Sequence, residues 1–413
     1  MSLLEAVRDA CTTYAPEPAV RELASGRVVT YAELGRLLDG ADAQPGLHVE
    51  TSGEDVDTLV RLLARSGAGG STLLLNPAAG PAVHAALRAA ARGWVPRDDV
   101  HLVPTSGSSG TPRLVRLTQQ GILAATQVYL DRVPLEPGWT TACPMSFASV
   151  GALPSAVLPA LLTGGTALLC AGATPRAFAD ALVRHDVRFA TSYAAWWETC
   201  LSLPGFSAPL HTLAVGGAPW QHLLPRIRTA LPAARALGIY GLTETHGPGV
   251  HGFGDEPAVA AGASGRPARG LEVELRDGEV WLRGGLVAPG YVGGGMRRDA
   301  DGWLGTGDEG ELDAEGRLTV LGRRDDVLNL GGRKVHPLQV ESVLAAHPGV
   351  VRCAVVRRGD ALAAYVIGSA RPDELRAWVR EQVAAYAAPR EVHLVDALPL
   401  LANGKVDRGA LRG

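Results

Sequence analysis

A chain of 413 residues exceeds what one hydrophobic core normally encloses, so at least two domains are expected. Hydrophobic residues at 46% and charged residues at 20% exclude a disordered chain, and 39 basic against 42 acidic side chains exclude a global charge suited to nucleic acid. The five cysteines, Cys11, Cys143, Cys170, Cys200 and Cys353, show no CxxC spacing, which argues against a metal centre or disulfide framework and fits a reducing cytoplasm. No basic leader precedes an apolar run, and no stretch reaches the roughly 18 uninterrupted apolar residues of a membrane span, so neither secretion nor membrane insertion is expected.

In chain order, Leu3, Leu4, Val7, Ala10, Cys11 and Tyr14 form one apolar stripe of a first helix. Thr30 and Glu33 form a capping box for the next. Residues 47–50 and 72–75 read as strands and 55–64 and 81–92 as helices, an alternation that predicts parallel α/β layers. The apolar residues 101–104 then run into Thr105-Ser106-Gly107-Ser108-Ser109-Gly110-Thr111-Pro112-Arg113, ahead of a helix from Thr118. Glycines there let backbone N–H groups turn toward an anion, hydroxyls add donors, and Arg113 supplies fixed charge. Composition alone would allow a flexible linker, but a position at a strand end favours phosphate binding; the Walker pattern is absent.

Residues 144–151 precede a predicted helix over 152–162 and a strand over 166–169. Phe147, Tyr193, Trp196 and Trp197 can wall a pocket, although aromatics at such spacing more often fill a core. Residues 213–215 form an apolar strand ending in Gly216-Gly217-Ala218-Pro219, and 237–240 one ending in Gly241-Leu242-Thr243-Glu244-Thr245. Small residues let a flat base approach the backbone, Tyr240 offers a stacking face, and Glu244 offers hard oxygen for Mg²⁺. His246 and His251 are given no chemistry. Asp277-Gly278 between 273–276 and 280–283 signals a hairpin and a small β subdomain. The charge-dense run 306–341 reads as a connector in which Asp308 and Arg323 can bracket a ribose. Beyond it, helices over 337–347 and 372–386 and strands over 353–356 and 362–367 predict a small α+β unit, and Asn403-Gly404 turns to present Lys405.

The ordered strings TSGSSGTPR, GGAP, YGLTE, TGD, GRRDD, GGRKVHP and NGK resemble the adenylate-forming superfamily, which includes acyl- and aryl-CoA synthetases, peptide-synthetase adenylation domains and luciferases, from about residue 25 to the end. The resemblance implies a large α/β N-terminal domain with a small β subdomain (1–322) and a small α+β C-terminal lid (323–413), hinged at Asp325. It implies pyrophosphate binding by residues 105–111 and Arg113, where the family usually has lysine. Nucleotide contacts fall to Gly217, Ala218, Pro219, Tyr240, Gly241, Asp308 and Arg323. Thr243, Glu244 and Lys405 serve catalysis, Glu244 also as metal ligand. An acid pocket is bordered by Phe147, Val150, Gly151, Tyr193, Gly216 and Gly217. Relatives carry histidine near Phe147, or, in amino-acid-activating domains, an Asp just after it; neither stands here, so the acid is expected to lack an α-ammonium. The segment before residue 105 is abbreviated against the superfamily.

The implied function is ATP- and Mg²⁺-dependent activation of a small carboxylic acid to an acyl-adenylate, followed by transfer to the thiol of CoA or of a phosphopantetheinyl acyl carrier protein. An amine or other acceptor is one alternative. A non-catalytic nucleotide-binding regulator is another, and would release no pyrophosphate with any acid; a phosphotransferase would yield ADP.

Overall fold

The computed structural model describes residues 1–105, 113–330, 333–401 and 406–412. The largest sheet has nine strands in the order Arg266–Pro267, Val250–Phe253, Arg235–Tyr240, Thr212–Gly216, Val187–Tyr193, Thr140–Cys143, Thr166–Leu169, Pro18–Glu22 and Val28–Thr30. Its central strands are parallel and buried on both faces, as covering helices require. A second sheet joins Gly46–Thr51, Gly70–Leu75, Asp99–Thr105 and Arg113–Thr118. The predicted α/β alternation therefore resolves into two sheets.

Local chemistry accounts for the element ends. Thr30 Oγ1 accepts from Glu33 N–H at 3.2 Å while Glu33 Oε2 accepts from Thr30 N–H at 2.9 Å, the expected capping box. Thr118 caps the helix Gln119–Leu130 through Gly121 N–H. The helix predicted over 152–162 forms as one uninterrupted helical run, with a π-bulge over Leu153–Val157 ahead of the α-helical Leu158–Leu162. Pro159 has no N–H to give to the preceding turn, and a widened turn accommodates it.

Leu271–Arg276 and Glu279–Gly284 pair antiparallel around Asp277 (φ 49) and Gly278 (φ 78), both left-handed as a two-residue hairpin turn requires. With Leu304–Leu312 and Leu318–Arg323 they make the four-stranded β subdomain. The C-terminal unit packs the helices Pro337–Ala345 and Pro372–Gln382 on a sheet of Val350–Arg358, Ala361–Gly368 and Glu391–Leu394. The second of these helices stops short of the predicted 386, because good helix formers carry the propensity signal past Val383, where the backbone leaves helical geometry.

This unit meets the rest of the chain along charged seams. Arg352 donates to the buried Glu198 at 2.8 Å, and Lys334 to the buried Glu309 at 2.9 Å. All five cysteines are buried and free, and no helix among the described residues is long and apolar enough to cross a membrane.

Candidate active site

Two parallel strand ends build the floor of the site. Gly216 lies opposite Ile239, so Gly217 and the Tyr240-Gly241 step leave the sheet side by side, at the carboxyl edge where α/β sheets bind ligands. Gly241 is obligatory: a Cβ there would stand 1.7 Å from the carbonyl oxygen of Gly247. Gly217 holds φ 80, and Ala218 beside it is exposed.

Tyr240, Asp308 and Arg323 form one cluster. Asp308 and Arg323 are directly paired neighbours across the antiparallel ladder. The phenol of Tyr240 donates to Asp308 Oδ2 at 2.7 Å, and Arg323 Nη1 donates to Asp308 Oδ1 at 3.2 Å and to the Thr306 carbonyl at 3.0 Å. Burial raises the Asp308 carboxyl above its ordinary range, against the pull of Arg323 and Tyr240. Burial, then the Asp308 charge, raises the Tyr240 phenol well above its own. The Arg323 side chain stays 49% exposed against 8% for Asp308, so the guanidinium is the open donor face of the pair toward a hydroxylated ligand.

Glu244 anchors a second cluster. It sits on the short 3₁₀ turn Thr243–Thr245, and its Oε1 accepts from the Tyr291 hydroxyl at 2.7 Å. Arg113 stacks over the Tyr291 ring, 5.4 Å from its centroid. Thr105 and Arg113 face each other across their strands, so these two flanking residues stand together beside this cluster. The expected phosphate donors Ser106, Gly107, Ser108, Ser109, Gly110 and Thr111 lie outside the described residues, as does Lys405. The Glu244 charge also contributes to the Asp308 shift, which ties the two clusters into one field.

On the expected pocket side, Val150 lies near Gly247, while Phe147 is buried at 4% exposure rather than presented to an opening. Tyr193 is half-buried at its strand end, where burial pushes the hydroxyl up to about 12. Trp197 is a core residue: fully buried, it donates to the Ala214 carbonyl at 3.0 Å and packs edge-on to Phe178, as does Trp196. His246 is a satisfied core histidine, accepting from Thr118 N–H at Nε2 and bonded to the Leu286 carbonyl through Nδ1, with burial holding it down at about 4.

Sequence reasoning missed Tyr291 and Glu54. Tyr291 follows a Pro-Gly step that reads as a plain turn, and only its pairing with Val115 brings it to Glu244. Glu54, on the turn after Gly46–Thr51, accepts from Phe147 N–H at 2.9 Å. Among the described residues no group of three or more His, Cys, Asp or Glu side chains is placed to hold a metal. One hard carboxylate fits Mg²⁺ that is held mainly by phosphate oxygens and water, and Glu244 supplies one.

Residues 28–292 match the AMP-binding enzyme family and residues 339–405 its C-terminal domain. A probable 2-succinylbenzoate–CoA ligase of Mycobacterium tuberculosis (strain CDC 1551 / Oshkosh) is 33% identical over 83% of this chain and 96% of its own length. A feruloyl-CoA synthase of an Amycolatopsis species is 32% identical over 76% and 70%. The crystal structure of the anthranilate CoA ligase AuaEII in complex with anthranoyl-AMP superposes with a TM-score of 0.87, at 20% identity over 100% of this chain and 96% of that one. A strand-end nucleotide cluster on an α/β body with a small α+β unit is the architecture of a nucleotide-dependent ligase, and the chain belongs to the AMP-binding enzymes of the adenylate-forming superfamily.

Proposed function

We propose that this AMP-forming acid–thiol ligase, dependent on ATP and Mg²⁺, activates an aryl or alkyl acid lacking an α-ammonium and transfers it to CoA. A carboxylate oxygen attacks the α-phosphorus, the bond to the β-phosphate breaks, and pyrophosphate leaves with the electron pair. A thiol sulfur then attacks the acyl carbon, AMP departs, and the thiol proton passes to solvent. Both substrates are anions, so the protein's task is positioning and charge neutralisation.

In this reading Asp308 and Arg323 bind the ribose, and Gly217, Ala218, Pro219, Tyr240 and Gly241 form the adenine floor. Residues 105–111 and Arg113 take the pyrophosphate, with Thr243 beside the α-phosphate. Mg²⁺, held through Glu244, screens phosphate charge. Residues 1–322 form the adenylation domain and 323–413 a lid turning at Asp325. The CoA-ligase relatives favour CoA; the thiol of a carrier-protein phosphopantetheine is the same chemical group and the second candidate. Unpaired cysteines, ATP and CoA together favour the cytoplasm.

The substrate class rests on one observation. The 147–151 wall carries no charged side chain. An ammonium facing it would meet no counter-ion on the wall itself. In a panel of matched acids with and without an α-amino group, pyrophosphate release is expected to be at least tenfold faster for the acids without it. Faster release from the amino acids would overturn the assignment.

Tyr291 orients Glu244, so Tyr291→Phe is expected to raise the Mg²⁺ concentration for half-maximal pyrophosphate release about tenfold, the usual scale for removing a hydrogen bond to a metal ligand. An unchanged Mg²⁺ titration would remove Glu244 from the metal site.

A further inference from the structure

Glu54 combines two unfavourable features. Its backbone is left-handed (φ 55), a conformation that suits glycine, and its side chain is a half-buried carboxylate set against the 144–151 segment. The carboxylate has specific partners. Oε1 accepts from the Ser146 hydroxyl and Oε2 from Phe147 N–H at 2.9 Å, while Ser146 Oγ accepts in turn from Ala148 N–H at 3.0 Å. Burial raises this carboxyl above its ordinary range, with the hydrogen bonds from Ser146 and Phe147 opposing the shift.

The contact joins separate parts of the large domain. Glu54 follows a strand of the four-stranded sheet, and Ser146 and Phe147 follow a strand of the nine-stranded one. Behind the contact, Glu54, Cys143, Met145, Phe147 and Ala152 border a cavity of about 10 Å³, too small for an acid. The turn 52–55 does not need this side chain: glycine would hold the backbone with less strain. What the carboxylate does is fix the Ser146-Phe147-Ala148 turn, and through it the wall that runs on to Val150 beside Gly247.

We propose that Glu54 is a positioning residue of the acid pocket, holding the Ser146–Val150 wall in the shape that binds the carboxylic acid. This rests on reading residues 147–151 as that wall, within the ligase assignment.

Pyrophosphate release by the wild type, measured first, tests the ligase assignment by itself; the variants then test Glu54. Glu54→Gly suits the left-handed backbone, so it should fold, yet it removes the carboxylate. It is expected to raise KM for the acid at least tenfold and leave KM for ATP within about twofold. Glu54→Gln is expected to restore the acid KM to within about threefold, because its amide oxygen can accept from Phe147 N–H while its NH₂ donates to Ser146 Oγ. Hydrogen exchange at residues 146–150 should quicken in Glu54→Gly and not in Glu54→Gln. An unchanged acid KM in Glu54→Gly would overturn the proposal, as would equal rises for acid and ATP. A loss confined to acids bearing an amino group would also overturn it, by making Glu54 a direct substrate ligand.

Discussion

Lys405→Ala is expected to lower pyrophosphate release by a factor on the order of 10² to 10³, while a supplied acyl-adenylate still becomes thioester at near the wild-type rate. The magnitude is that of removing one charge-stabilising donor from a water-excluded site. Residues 402–405 lie outside the described structure, but their flanks are firmly held. Leu400 bridges Val406, Asp407 N–H donates to the Pro399 carbonyl at 2.8 Å, and Arg408 grips both oxygens of Glu341 at 2.7 Å. The second half-reaction is expected to use the face carrying Gly331, Gly332 and Lys334; the two glycines are outside the described residues, and Lys334 is paired here with Glu309. Equal damage to both half-reactions, or normal adenylation by the variant, would contradict both the role of Lys405 and the turning of the lid.

Asp308→Ala is expected to lower kcat/KM for ATP about 100-fold. A hydrogen bond to a charged group contributes about 1.5–3 kcal/mol, and the substitution also strands the Tyr240 hydroxyl and the Arg323 guanidinium that Asp308 accepts from. The loss should fall mainly on KM for ATP, with KM for the acid nearly unchanged, because the proposal assigns the cluster to the nucleotide and not to the acid. Asp308→Asn, which keeps the shape and loses the charge, should fall between the two. An ATP dependence like that of the wild type would remove Asp308 and Arg323 from the nucleotide site.

Much of this was legible in the residue order, for identifiable reasons. Asp277-Gly278, Thr30 with Glu33, and the apolar runs ending in Gly216 and Tyr240 are local signals, and each element formed where its own chemistry placed it. The motif strings also carried the family, which composition could not. The failures are of other kinds. No local signal marked the π-bulge over Leu153–Val157 inside the helix predicted over 152–162. Trp196 and Trp197 could be offered as wall although core was the commoner reading, and both pack edge-on to Phe178. Glu54 and Tyr291 gave no warning because each acts across a tertiary contact, Glu54 on Phe147 and Tyr291 on Glu244. No periodicity or motif encodes a partner 93 residues away.

Activation of the acid as an acyl-adenylate leaves an isotopic signature that a labelled carboxylate reads out. The protein is incubated with Mg²⁺, ATP, CoA and an acid, identified from the panel, whose carboxylate carries ¹⁸O. The oxygen that attacks the α-phosphorus stays with AMP when the thiol takes the acyl group. The mass spectrum of the product should therefore show AMP bearing one ¹⁸O for each thioester formed, with unlabelled pyrophosphate. Unlabelled AMP, or ADP with the label in inorganic phosphate, would contradict the account.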